Sequence, residues 1–274
     1  KTISGNSAIN RILIRSDTVG TPRIITVNSG TFANADFEDI TFSSASNVDL
    51  SAITGGSGDC GGNTITGGGS TLTFTPAATQ YWYQDTGNWS DSTKWFLGSG
   101  GTGGAGRVPL PQDNTVFDGN SFSTTGKTVT GNMFRSGASM TWENATNNPT
   151  WFRNYPSPTF TTNFYGSITL ISAMILSGGS GINFRGRGVH TITSAGQTLS
   201  SGNCSLIAPG GTYTLQDALT ITGSSFTISS GTLNDGGFTC SFSTLVSSNS
   251  NVRGITKTGN WTLTSTGVVW NLAT

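Results

Sequence analysis

Asp36 and Glu38 are the pair in this 274-residue sequence best spaced for acid–base chemistry. In an extended strand, residues i and i+2 share a face and lie about 6.5–7 Å apart along the chain. Cleavage of a glycosidic bond uses two carboxyls roughly 5–9.5 Å apart, so this spacing permits a catalytic pair. Two acids on the solvent face of a strand are also the ordinary arrangement, and Asp39, Asp113 and Asp118 carry the same double reading. The single histidine, His190, would have to serve any Ser–His–Asp set, yet no Gly-x-Ser-x-Gly elbow leads into a helix. His190 therefore reads as a solvent-facing or turn-capping residue. The run Gly98 to Gly106 lacks the Gly-Lys-Ser/Thr of a phosphate cradle. Cys60, Cys204 and Cys240 are too scattered for a zinc site, and their odd number leaves room for one disulfide at most. No metal or cofactor is expected.

Aromatic residues offer a different chemistry. Tyr81, Trp82 and Tyr83 alternate faces in a short strand, and Trp89 and Trp95 follow closely. An exposed indole presents a flat apolar face to a sugar ring or a protein partner, whereas a buried one would plug a stack end or a junction. Three of the seven tryptophans fall in this segment and a glycine-rich run follows it, which a regular repeat does not need. The expectation is that the segment projects, with Tyr81, Trp82, Trp89 and Trp95 as its contact residues. Asn-x-Ser/Thr triplets at Asn88, Asn144, Asn203 and Asn260 carry no weight in so Ser/Thr-rich a chain.

The elements that must position these residues are strands. Alternation of apolar residues with Thr or Ser recurs throughout, as in Arg11 to Arg15, Arg23 to Val27 and Ala35 to Phe42, with turn clusters between. From Ser167 the pattern is regular: Ile168-Thr169-Leu170, Thr191-Ile192-Thr193, Leu219-Thr220-Ile221 and Trp261-Thr262-Leu263 are members of one series. Short strands so closely spaced, bending at Gly, Asn or Ser, suit the rungs of a solenoid. The expected fold is all-β, a right-handed parallel β-helix, with a β-sandwich or jelly roll as the alternative. Residues 1–79 form a first β-helical portion, 80–120 an aromatic, Gly/Pro-rich insertion or junction, and 121–274 a second portion.

Composition narrows the partners. Charged residues are 9% of the chain and the 13 basic and 13 acidic residues cancel, so the footprint of a nucleic-acid binder is missing. No apolar run approaches the roughly 20 residues of a membrane helix, and no membrane insertion is expected. The chain starts at Lys1 with no initiator Met or signal-peptide pattern, and so reads as a processed chain or a fragment.

Two stretches carry a resemblance. Gly87-Asn88-Trp89-Ser90-Asp91 with Trp95, then Val108-Pro109-Leu110-Pro111-Gln112-Asp113 and Val116-Phe117-Asp118, resemble a segment of long β-helical proteins of tailed bacteriophages and bacterial surfaces. Gly259-Asn260-Trp261-Thr262-Leu263-Thr264, continuing to Trp270-Asn271, is similar to a Trp-Thr-Leu-Thr repeat of the same phage proteins, with Ser265 and Val268 departing from it. Ala208-Pro209-Gly210-Gly211-Thr212-Tyr213 also fits. The resemblance implies a β-helix on a phage particle and brings no catalytic residues with it. The resulting expectation is a structural or adhesive virion component, extracellular, a fibre, tail-associated or capsid-decoration protein. It would bind other virion proteins, itself or a host-surface glycan. The alternatives are a tailspike-like polysaccharide depolymerase using Asp36 and Glu38, or a secreted bacterial adhesin.

Overall fold

A computed structural model describes residues 2–27, 31–153, 161–200, 202–267 and 270–271. The protein is a β-solenoid of about 11 turns with parallel stacked strands, 48% strand and 2% helix. Among the described residues the only antiparallel pairings join Trp95–Gly98 to Thr79–Trp82 and to Thr102–Ala105. A sandwich or jelly roll, which needs antiparallel neighbours throughout, is thereby set aside.

The strands form two stacks. In the first, Ile12–Arg15, Ala35–Glu38 and Ser57–Asp59 make one parallel sheet, and Arg23–Thr26, Ile40–Ser43 and Thr64–Thr66 another. The partner of Ile12 is Ala35 and that of Ala35 is Ser57, so a turn takes 22 or 23 residues. Alternation then places Phe37 inward, where it packs against Phe32 and Phe42 with ring centroids 5.2 and 5.3 Å away. The same alternation turns Asp36 and Glu38 away from that core. Asn34 (φ 46°) and Asp39 (φ 56°) take left-handed backbone at the two corners flanking the acidic strand, a conformation Asn and Asp tolerate best.

The second stack begins after a short connection through Pro76. Thr79–Trp82 pairs in parallel with Asn114–Val116 and, through a 17-stranded sheet, leads to Trp270–Asn271. A four-stranded sheet, from Gly87–Asn88 to Ile175–Ser177, forms a second wall. Inward residues stand in register: Ile168 on Ile192 on Leu215, and Leu199 on Ile221 on Phe242 on Leu263. All of these but Leu263 are buried. Burying each such side chain contributes about 1.5–3 kcal/mol, and every turn repeats the gain. The stretch 80–120 opens this stack, and its hairpin, Trp95–Gly98 with Thr102–Ala105, lies across the stack's first turn.

Candidate functional site

The acidic strand of the first stack lies against the side of the second, and the seam between them concentrates much of the buried charge. Asp36 Oδ1 accepts a hydrogen bond from Arg11 Nε at 2.7 Å, and its Oδ2 accepts one from Arg135 Nε at 2.5 Å. Glu38 Oε1 accepts from Arg185 Nη2 at 2.5 Å, and Asp39 Oδ2 from Arg187 Nη2 at 2.8 Å. Asp39 also caps the backbone N–H of Gly20 at 2.8 Å. Arg135, Arg185 and Arg187 belong to the second stack, so three of these pairs cross the seam. Burial opposes the charge of Arg135 and Arg185, but the facing carboxylates of Asp36 and Glu38 outweigh it and hold both guanidiniums above their ordinary range.

Two further devices close the seam. Gln112 donates from Nε2 to the carbonyls of Ser57 and Thr75, both at 2.8 Å, and its Oε1 accepts from Asp59 N at 2.9 Å. The adjacent Asp113 is buried and takes Arg107 in a two-pronged grip, Oδ2 from Nε at 2.8 Å and Oδ1 from Nη2 at 2.6 Å. The Val108 to Asp113 stretch is thus the strap that ties one stack to the other. Close approach explains Gly58, which lies beside Asp36 in the ladder: a Cβ there would collide with the Asp36 carboxylate and with Pro111.

This geometry corrects the expectation of a solvent-facing acid pair. Asp36 and Glu38 do share a face, but that face is covered by the second stack and each carboxylate is held by arginine. Both carboxylates are engaged in ion pairs rather than presented as a free acid–base pair. Cys60 is buried next to this cluster, and burial together with the Asp36 and Glu38 charges pushes its thiol well up. Cys204 and Cys240 are also free and buried.

The aromatic expectation is corrected too. Trp82, Trp89 and Trp95 are fully buried and stand edge-to-face, with Trp95 5.1 Å from each of the other two rings. Phe117 joins them and stacks on Trp142 at 3.9 Å, carrying the aromatic column into the next turn. Trp82 Nε1 donates to the Asp85 carbonyl and Trp95 Nε1 to the Trp89 carbonyl, both at 2.8 Å, which meets the polar need of two buried indoles. These rings are the core of the first turn because a stack end exposes more apolar surface than a middle rung. Tyr81 is half-buried and its strand neighbour is Phe96. His190 is half-buried, 5.1 Å from the Tyr213 ring, and burial pulls its pKa below the ordinary histidine value.

Sequence reasoning missed the arginines. Arg11, Arg135, Arg185 and Arg187 each sit in or beside a strand of a chain with only 13 basic residues, and that scarcity is the signal that could have marked them. Among the described residues no group of three or more His, Cys, Asp or Glu could hold a metal ion, and no helix is long and apolar enough to cross a membrane. Fold and seam together define a two-stack β-solenoid locked by buried ion pairs. Compared with known proteins, the chain matches no family model, no curated protein and no solved structure.

Proposed function

We propose that this protein is a structural or adhesive component of a tailed-phage virion, outside the cell, binding other virion subunits or a host-surface glycan. The observation that carries the reading is the use to which the chain puts its acids. Asp36, Glu38 and Asp39 are each engaged by an arginine of the other stack, and Asp113 is gripped by Arg107 inside the strap, which is the work of a rigid scaffold. The motifs behind the phage resemblance also serve as framework. Trp89 fills the first turn of the second stack, Gln112 and Asp113 form the strap, and Trp261–Leu263 makes a late rung. A depolymerase working through Asp36 and Glu38 would have to break these pairs before it met substrate.

Antibodies raised against the protein should label purified particles of the phage that encodes it, with gold at a fixed position on tail or capsid in electron micrographs. Protein found only in the lysate, never on particles, overturns the assignment.

A further inference from the structure

A cleft of about 440 Å³ opens between the two stacks, at the end of the seam where Arg11, Asp36 and Arg135 meet. Its three titratable lining groups are these same residues, two guanidiniums and one carboxylate, so the floor carries one surplus positive charge. Arg11 has four of its five N–H groups committed: Nε to Asp36, Nη1 to the carbonyl of Gly55, and Nη2 to those of Ala35 and Gly56. Arg135 has fewer committed. Its Nε holds Asp36 and its Nη2 donates to the Arg11 carbonyl at 3.1 Å, while Nη1 has no partner among the described residues. Because the seam fixes this guanidinium, its remaining edge is oriented before any ligand arrives.

The walls have a different character. Leu13, Pro109 and Met133 are apolar, and at the mouth Phe134 leaves 57% of its surface exposed beside Ile9, 43% exposed. On the rim, the Asn10 side-chain amide is exposed and makes no hydrogen bond to described residues. A ligand that satisfies all of this has a flat, weakly apolar ring face, hydroxyl groups within reach of an amide, and one negative charge for the free guanidinium edge. We infer that this cleft binds a carboxylated sugar residue of an acidic polysaccharide. The inference deepens the adhesive reading above and rests on it: it gives the glycan a chemical class and a seat.

Two probes carry the carboxylate on different sugars, trigalacturonic acid for uronic acids and N-acetylneuraminic acid for sialic acids. Titration calorimetry on the intact protein should show saturable binding of at least one, weakening as salt is raised because the contact is ionic. Asn10→Asp and Ile9→Glu put a negative charge on the exposed rim without touching the seam. Each should weaken binding at least tenfold with an unchanged melting temperature. Maltotriose, a neutral trisaccharide, binding as tightly as the acidic probes would overturn the charge assignment. Sodium acetate competing on equal terms with the acidic sugars would reduce the cleft to an anion site and overturn the sugar assignment. Failure of both acidic probes at millimolar concentration, or binding indifferent to Asn10→Asp and Ile9→Glu, overturns the site altogether. Particle labelling is independent of these results, so the virion assignment stands or falls apart from the cleft.

Discussion

At the scale of a residue, the fold turns on which way one side chain points. Ile221 and Thr220 are neighbours in the same strand, yet Ile221 is sealed between Leu199 and Phe242 while Thr220 looks outward between Thr198 and Ser241. An aspartate at position 221 would enter the core with no cation to meet it, and whether it stays charged or takes up a proton and lies there unpaired, the burial costs several kcal/mol. Ile221→Asp should therefore lower the denaturation midpoint strongly, and Thr220→Asp should shift it by less than about 1 kcal/mol. Chemical denaturation of the two variants side by side checks this, and equal sensitivity would contradict the inward and outward assignment. Asp235 shows the opposite use of a buried acid. Its carboxylate accepts from the backbone of Gly237, Thr258 and Gly259 and from Trp261 Nε1, at 2.9–3.0 Å. Burial disfavours its charge, but these backbone hydrogen bonds outweigh it and hold the carboxyl well below the usual carboxylate range. A group with a depressed folded pKa stabilises fully above its unfolded pKa of about 3.9, and the gain is lost as pH falls through the folded value. Asp235→Asn should consequently melt earlier than the parent protein at pH 7, and the gap between the two melting curves should narrow below about pH 4. A gap that stays constant with pH would place the effect elsewhere.

At the scale of an element, the first turn of the second stack is the informative case. Trp89 touches Trp95, Phe117 and Phe164, with centroids 5.1, 5.5 and 6.1 Å away, and is fully buried. Trp89→Ala should cost about 3–5 kcal/mol, because a large ring leaves a cavity that the surrounding indoles cannot fill. Calorimetry should show a large fall in melting temperature, and a nearly unchanged transition would mean that the ring is not core. The strands themselves were legible in the sequence, since alternation has a period of two and is visible within three or four residues, as in Thr191-Ile192-Thr193. The destination of the tryptophans was not. An indole beside a glycine-rich run reads the same whether it leaves the fold or lies in its end turn, and the deciding fact is how much apolar surface the first turn must hide. Asp36 and Glu38 were found as a pair on one face, but what covers that face was hidden, because Arg135 and Arg185 are 99 and 147 residues further along the chain.

At the scale of the molecule, two stacks behave as one body only while the seam is closed. The Glu38 and Arg185 side chains are 4% and 6% exposed, and removing one partner of such a pair leaves the other buried and uncompensated, at about 3–5 kcal/mol. Glu38→Gln should lower stability by this order, and Arg185→Met added to it should recover part of the loss, because the stranded charge is gone. Thermal unfolding of the single and double variants measures the coupling. Additive losses would mean that the pair does not act across the seam. The connection at Pro76 gives a second readout, since protease nicking there should rise in Glu38→Gln as the stacks part.

The seam also sets an order of events in time. Within a stack each strand meets a partner about one turn away, for example Ile168 with Ile192, so every rung closes a short loop. The pairs Arg135–Asp36, Arg185–Glu38 and Arg187–Asp39 span 99, 147 and 148 residues. Contacts of long sequence separation carry a greater loop-closure cost and form late. The carboxylates of the first stack therefore stand uncovered on a finished sheet until the second stack has been built through Arg187, and during synthesis from the N-terminus that interval lasts for nearly half the chain. Throughout it the young protein presents an acidic edge that the mature one never shows.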